Sequence, residues 1–385
     1  MIKIVKNAEI YSPEYLGKKD ILIGGEKILA IAEKIEIANV AIEVIDANGK
    51  IVLPGLIDQH IHLTGAGGKQ AFSSMTPEIS ITELIQCGTT TVVGMLGTDG
   101  ITRTLQGLYA KVKALDQDGI SAYMLTGYFG YPTTHLLNSV LEDMIFIDKV
   151  IGCKTAISDE RASFPTENEL LKLLREVHVG GLTSGKGGIL HIHLGALESK
   201  MDILLELVKK YHIPIHHISP THVGRTKELF EQAIEFAKLG GMIDISTGGT
   251  KFDLPYKQVM YALKQGVSID NMTFSSDGNA GMAKKDKNGG ISKLYKAPVD
   301  LNLKQVILLI QEAGMSITDA FKLITTNPAR NLSLKQKGRI EVGFDADLCF
   351  FDKDFNLTDV ISKGHKMMKN NEIVKCNCYE NCTDK

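Results

Sequence analysis

The central part of this chain repeats one alternation. Apolar, β-branched runs fall at residues 51–63, 89–96, 121–127, 150–157, 188–194, 213–218, 241–246 and 272–275, and amphipathic stretches at 104–118, 167–178, 200–211 and 226–239 lie between them. Such alternation predicts a parallel sheet, because a helix must carry the chain back before the next strand can run the same way. Eight units in this length predict an α/β fold closed as a (β/α)₈ TIM barrel. An open doubly wound sheet is the competing arrangement, but no glycine fingerprint of a dinucleotide fold follows the first strand. Both ends of the chain read as short strands instead, at 2–5, 20–23, 27–31 and 42–46, and again at 348–351, 359–361 and 366–369. They predict a small β-sandwich domain built from residues 1–50 and 338–385, with the barrel at 51–337. The stretch 280–298, rich in Lys, Gly and Asp, reads as a long mobile loop.

With 385 residues, 44% of them apolar, the chain can bury one large barrel and a satellite domain. Its net charge of −2, with both signs mixed along the length, carries no footprint for nucleic acid or an anionic membrane. No apolar run reaches the roughly 18–20 residues of a membrane span. Met1-Ile2-Lys3-Ile4-Val5-Lys6 alternates like a strand and not like a signal peptide, so the expectation is a cytoplasmic protein. Cys87, Cys153 and Cys349 stand alone among apolar residues and read as small buried hydrophobes. Cys376, Cys378 and Cys382 lie in a polar tail with no histidine nearby and read as a solvated end.

The polar residues that close the strands carry the chemistry. In a barrel, function sits at the C-terminal ends of the strands and in the loops after them. The first run ends Asp58-Gln59-His60-Ile61-His62, and strand alternation puts Asp58, His60 and His62 on one face. The fifth ends His191-Ile192-His193, the sixth leads to His222, and the eighth closes on Asp277. Lys154 sits inside the apolar fourth run, where an unpaired ammonium is costly. Two readings stand for it: a lysine reaching past the strand end, or one whose neutral amine has taken up CO₂ to give an anionic carbamate. Imidazoles and carboxylates converging from several strand ends suit zinc or a similar divalent ion. His191, His216 and His217 precede the strand ends and read as buried supporting residues. His135, His178, His212 and His365 read as structural or solvated.

The motif Pro54-Gly55-Leu56-Ile57-Asp58-Gln59-His60-Ile61-His62, with Lys154, His193, His222, Asp277 and Gly343-Phe344-Asp345-Ala346-Asp347-Leu348, resembles the amidohydrolase superfamily over nearly the whole chain. Within it the chain is similar to the isoaspartyl (β-aspartyl) dipeptidases, on the stretches Gly94-Met95-Leu96-Gly97-Thr98-Asp99, Ala156-Ile157-Ser158-Asp159-Glu160-Arg161 and Pro220-Thr221-His222-Val223-Gly224-Arg225. The resemblance implies a binuclear zinc hydrolase of amide bonds. His60, His62 and Asp277 would hold one ion and His193 and His222 the other, with carboxylated Lys154 and a hydroxide bridging the two. Asp277 would also move the proton. Gly67, Lys69, Thr98, Phe129, Arg161, Arg225 and Gly281 would surround a dipeptide or other small-molecule substrate, the arginines binding its carboxylates. Either arginine could instead pair with Asp159, Glu160 or another acid. A symmetric homo-oligomer is implied too, an octamer being one form it could take.

Three positions depart from the dipeptidase pattern. Lys69 stands where those enzymes carry a glutamate for the substrate ammonium. Phe129, flanked by Tyr128 and Tyr131, stands where they carry a tyrosine that polarises the carbonyl, and Gly281 replaces a serine. A charge reversal at a contact can cost several kcal/mol. The alternative substrate is therefore an N-acyl or cyclic amide without a free α-amine. A deaminase of the same superfamily and a barrel that only binds are the other readings. Lys154 argues against the first, and the complete ligand set argues against the second.

Overall fold

The computed structural model of the protein describes residues 2–68, 70–287 and 290–379. Eight parallel strands stand side by side in chain order: β1 (Leu56–Ile61), β2 (Thr89–Gly94), β3 (Ser121–Gly127), β4 (Val150–Ile157), β5 (Ile189–Leu194), β6 (Ile218–Thr221), β7 (Ile243–Ser246) and β8 (Met272–Ser275). A parallel bridge between Ile61 and Gly278 brings the chain after β8 back to β1, and the His62 amide donates to the Gly278 carbonyl at 3.0 Å. The expected barrel is thus formed. All strand residues but Tyr123 are buried, as a parallel sheet sheathed by helices requires. Around it, helices Leu105–Asp118, Glu167–Ser184, Asp202–Tyr211 and Lys227–Lys238 turn leucine-rich stripes inward. Thr104, Thr166 and Thr226 cap three of them by accepting backbone N–H groups. The helix expected to end at 178 runs on to Ser184. Its Gly180 is tolerated for packing: a Cβ there would stand 2.5 Å from Met144 Cβ on the helix Val140–Phe146.

Three elements differ from the sequence reading. The run 51–63 is two strands in two sheets, because Ile51–Pro54 pairs with Ile2–Tyr11 and Leu348–Phe351 before β1 begins. A Cβ on Gly55 would lie 2.1 Å from Thr90 Oγ1, so the chain crosses between the sheets where it has no side chain. We propose Gly55, in place of residue 50, as the divide between the two domains on this side. The sixth run, read as a strand over 213–218, starts as a 3₁₀ turn at Ile215–His217, with His217 N–H donating to the Pro214 carbonyl at 3.0 Å; the strand itself is β6. The stretch 280–298 is not a loop. Gly281–Lys285 pairs antiparallel with Ile291–Lys296, and the polar residues lie mainly in the turn and on the exposed faces.

The two chain ends build one nine-stranded sheet. Its order is Glu372–Ile373, His365–Lys369, Leu357–Ser362, Leu348–Phe351, Ile51–Pro54, Ile2–Tyr11, Tyr15–Gly24 and Lys27–Ala32, with Ile42–Asp46 also on Ile2–Tyr11. It has its own core, including Ile10, Ile21, Ile23, Val52 and Phe350, in keeping with the expected β domain. Cys87, Cys153 and Cys349 are buried, Cys378 is exposed, and Cys382 lies outside the described residues.

Lys337 ties this sheet to the barrel. Its buried ammonium donates to Ser121 Oγ on β3 at 2.6 Å and Asp347 Oδ2 at 2.5 Å, and reaches Asp345 Oδ2 at 2.8 Å. Removing one partner of a buried pair leaves the other charge uncompensated. Lys337→Ala is expected to lower stability by about 3–5 kcal/mol in a urea melt. Lys34→Ala, which breaks an exposed pair with Glu36, should leave the melt essentially unchanged. Equal effects from the two variants would contradict the clamp.

Candidate active site

The pleat of β1 sends Asp58, His60 and His62 to one face, but they do different work. Asp58 accepts the amides of His60 and Ser276, each at 3.2 Å, and the Ser276 hydroxyl. It therefore pins β1 to the end of β8, and burial pushes its carboxyl up to about 7. His60 and His62 face Asp277, whose Oδ1 lies 3.5 Å from His60 Nε2 and 3.2 Å from His62 Nε2. The ligand atoms of these three residues lie within 4.8 Å of one another. His62 Nδ1 lies 3.2 Å from the Met95 carbonyl, which can only accept, so the proton sits on Nδ1 and Nε2 turns its lone pair to the site. Asp277 (φ 50°) and His222 (φ 63°) hold left-handed backbone, strain of about 1–3 kcal/mol each that recurs at functional positions. Burial pushes the Asp277 carboxyl up, but the His62 contact and the Arg225 charge outweigh it and hold the group below the usual carboxylate range.

Lys154 lies in the middle of β4, in register with His191 on β5. It is fully buried, and among the described residues its Nζ has no hydrogen-bond partner. Burial pulls the amine down to about 7. A neutral amine without a hydrogen-bond partner is in the form that reacts with CO₂. The His193 and His222 rings lie 4.5 Å apart, and His222 lies 4.8 Å from His60. Burial keeps all three imidazoles neutral, His193 down to about 3, which is the form that ligates. His222 Nδ1 meets Ser246 Oγ at 2.5 Å, while His193 Nε2 lies 3.0 Å from Asp159 Oδ2 and 3.3 Å from Arg225 Nη2. His191 supports from behind, its Nε2 3.0 Å from His60 Nδ1. The donor set of imidazoles, one carboxylate and an unpartnered amine fits a divalent metal centre.

Above these residues opens a cleft of about 270 Å³. Of the expected substrate residues, Gly67, Thr98, Phe129, Arg161, Arg225 and Gly281 all line it, and Lys69 lies outside the described residues. Arg161 forms a two-pronged pair with Asp159, Nε to Oδ1 at 2.7 Å and Nη2 to Oδ2 at 2.6 Å, which is the alternative its neighbours left open. Its side chain is still 45% exposed. Arg225 also lines the cleft, and its buried Nε has no hydrogen-bond partner among the described residues. Phe129 packs on His193 with ring centroids 4.3 Å apart, and no tyrosine is among the described residues of the cleft wall. A Cβ on Gly281 would lie 2.6 Å from Gly67 Cα, so the missing serine is matched by a closer approach of the opposite loop. Sequence reasoning passed over Gly249, Thr250 and Met282, which also line the cleft. The turn Gly248-Gly249-Thr250 directly after a strand was the available signal.

Comparisons with known proteins agree with this architecture. Two amidohydrolase family models match residues 257–374 and 43–97. The crystal structure of a β-aspartyl dipeptidase from Fervidobacterium islandicum AW-1, in complex with the β-Asp-Leu dipeptide, superposes with a TM-score of 0.92. It is 41% identical and covers 98% of this chain and 100% of that one. A D-hydantoinase structure, 21% identical with a TM-score of 0.68 over 98% of this chain and 97% of its own, shares the fold. An adenine deaminase of Clostridium perfringens is 24% identical over 98% of this chain, which spans only 61% of the deaminase's length. A dihydroorotase of Lactobacillus johnsonii is 23% identical over 94% of this chain and 93% of its own. The chain belongs to the amidohydrolase superfamily, where it is isoaspartyl (β-aspartyl) dipeptidase-like.

Proposed function

We propose that this protein hydrolyses the amide bond of isoaspartyl dipeptides at a binuclear zinc site. The observation that carries the reading is the geometry of the cleft: Arg161 and Arg225 line the same space as His60, His62 and Asp277. In this reading His60, His62 and Asp277 would hold one ion and His193 and His222 the other, with carboxylated Lys154 completing the donor set. Two such ions supply an activated water and a polarised carbonyl. The chain's own residues do the rest. Asp277 takes a proton on its carboxylate and returns it to the leaving amine. Arg225 and Arg161 orient the substrate through its carboxylates, and Gly67, Thr98 and Gly281 bring backbone close to it. Phe129 shapes the remaining wall.

One observation favours a second reading. Among the described residues lining the cleft, Asp277 is the sole carboxylate, so a free substrate ammonium meets no dedicated partner. A substrate with its α-amine acylated, or a cyclic amide, would suit such a wall. The test is release of amino acids from β-linked dipeptides, their N-acylated forms and ordinary α-dipeptides, by wild type and Lys69→Ala. The first reading expects cleavage of the β-linked set alone, with the variant within about threefold. Cleavage of only the N-acylated set, with Lys69→Ala opening activity on free amines by about tenfold or more, would replace it by the second. Cleavage of neither set would remove both.

A symmetric homo-oligomer belongs to the same proposal. Phe146 and Leu182, on adjacent helices, are 74% and 71% exposed, and assembly would cover such apolar surface. Among the described residues, no helix is long and apolar enough to cross a membrane.

A further inference from the structure

A further carboxylate is buried inside the barrel wall. Asp244, between Ile243 and Ile245 on β7, is buried and takes no part in the chemistry above. Its Oδ1 accepts Gln59 Nε2 and Thr273 Oγ1, both at 2.8 Å, and its Oδ2 accepts Thr221 Oγ1 and Ser275 Oγ, both at 2.6 Å. Four donors on β1, β6 and β8 occupy the four lone-pair sites of one carboxylate. Stability alone does not call for such a cluster, since apolar side chains of similar volume are often as stabilising. Its effect lies in the direction it imposes on the hydrogen bonds around it.

Thr221 has a single hydroxyl proton, and that proton points to Asp244. Toward His60 Nδ1, 3.4 Å away, Thr221 Oγ1 therefore has only lone pairs to offer. A second route leads to the same nitrogen. Gln59, with its amide nitrogen on Asp244, turns Oε1 to Asn331 Nδ2 at 2.9 Å. Asn331 Nδ2 also donates to Ser219 Oγ at 3.1 Å. Ser219 Oγ stands 3.0 Å from His191 Nδ1, and His191 Nε2 stands 3.0 Å from His60 Nδ1. A His191 protonated on Nδ1 presents a bare Nε2 there. The Thr221 route sets an acceptor against His60 Nδ1, and the serine route matches it when His191 carries its proton on Nδ1.

We propose that Asp244 is a positioning residue: through Thr221 it keeps the His60 proton on Nδ1 and so leaves His60 Nε2 bare toward Asp277 and the metal. The inference rests on His60 being a ligand. Outer partners of ligating histidines typically change metal affinity by about 10–100-fold.

Zinc affinity by competition with a chromophoric chelator, and the visible spectrum of the cobalt-substituted protein, test this without any substrate. Thr221→Val keeps the shape of the side chain and removes the acceptor. It is expected to weaken zinc binding by about tenfold or more and to shift the cobalt bands, while Thr221→Ser restores both. Asp244→Asn presents an N–H₂ group to one of the hydroxyls and should weaken binding similarly. The double variant should then be within about threefold of Thr221→Val, because both changes act on one proton. Binding within about twofold of wild type in Thr221→Val, with unchanged bands, overturns the proposal, as do losses that multiply in the double variant. If Asp244→Asn does not fold, the Thr221→Val and Thr221→Ser pair decides. A wild-type protein that binds no divalent ion would refute the metal reading itself, and this inference with it.

Discussion

Lys154→Met is expected to remove the second metal ion and about a thousandfold or more of kcat/KM, while leaving the fold at least as stable as before. Methionine matches the length of the lysine stem and cannot take up CO₂. The bridge between the two halves of the donor set is then gone, and bound zinc should fall from about two per chain toward one or less. The stability arm separates this from ordinary core damage. In the metal-free protein the Lys154 amine is buried with no partner among the described residues, and an unsatisfied buried polar group costs about 1–3 kcal/mol. Exchanging it for an apolar side chain should leave the metal-free melting temperature unchanged or raised. A drop in that temperature with metal content intact would make Lys154 a structural residue.

The carbamate has its own signature in reconstitution. Carboxylation joins the neutral amine to CO₂ and releases one proton. Burial brings the Lys154 amine to about 7, so its neutral fraction grows as pH rises through that value and shrinks as pH falls below it. Reactivation of metal-free protein by zinc should accordingly speed up with added bicarbonate and slow down from about pH 8 to about pH 6. Lys154→Met should show neither dependence. Reactivation of wild type that ignores bicarbonate at every pH would remove the carbamate from the account.

How far the sequence discloses this site depends on whether local pattern or distant pairing decides each residue. Strand alternation alone puts His60 and His62 on one face, and the end of each apolar run marks where His193 and Asp277 emerge. Lys154 announces itself as a charge in an apolar strand. Asp244 gives the same local signal, yet its donors Gln59, Thr221, Thr273 and Ser275 come from three other strands, and no spacing rule links them. The pairing of Asp159 with His193 is likewise a contact between neighbouring strand ends that the parallel pairing of β4 with β5 creates. Among the elements, the run 51–63 looks continuous because both its halves are apolar. Only the crowding of Gly55 by Thr90, far along the chain, reveals the break. The sixth strand is hidden by Pro214, which turns an apolar run into a 3₁₀ turn and delays the strand to Ile218.

Asp277→Asn is expected to lower kcat/KM by about 10²–10⁴-fold, the range for a positioned proton carrier. Asparagine keeps the shape and can still offer one oxygen to His60 and His62, so the fold should survive and some metal should stay bound. It cannot accept a proton and hand it on. The pH dependence separates that role from simple metal holding. Burial raises the Asp277 carboxyl, but the His62 contact and the Arg225 charge together bring it below the usual carboxylate range. A group so depressed is fully ionised above about pH 6 and gains its proton only in more acidic solution. Between about pH 6 and 9 the ratio of wild-type to variant kcat/KM should therefore stay constant, since the state of Asp277 does not change across that window. A ratio that changes across that window would contradict this account of Asp277. A variant that regains wild-type kcat/KM once zinc is saturating would reduce Asp277 to a ligand alone.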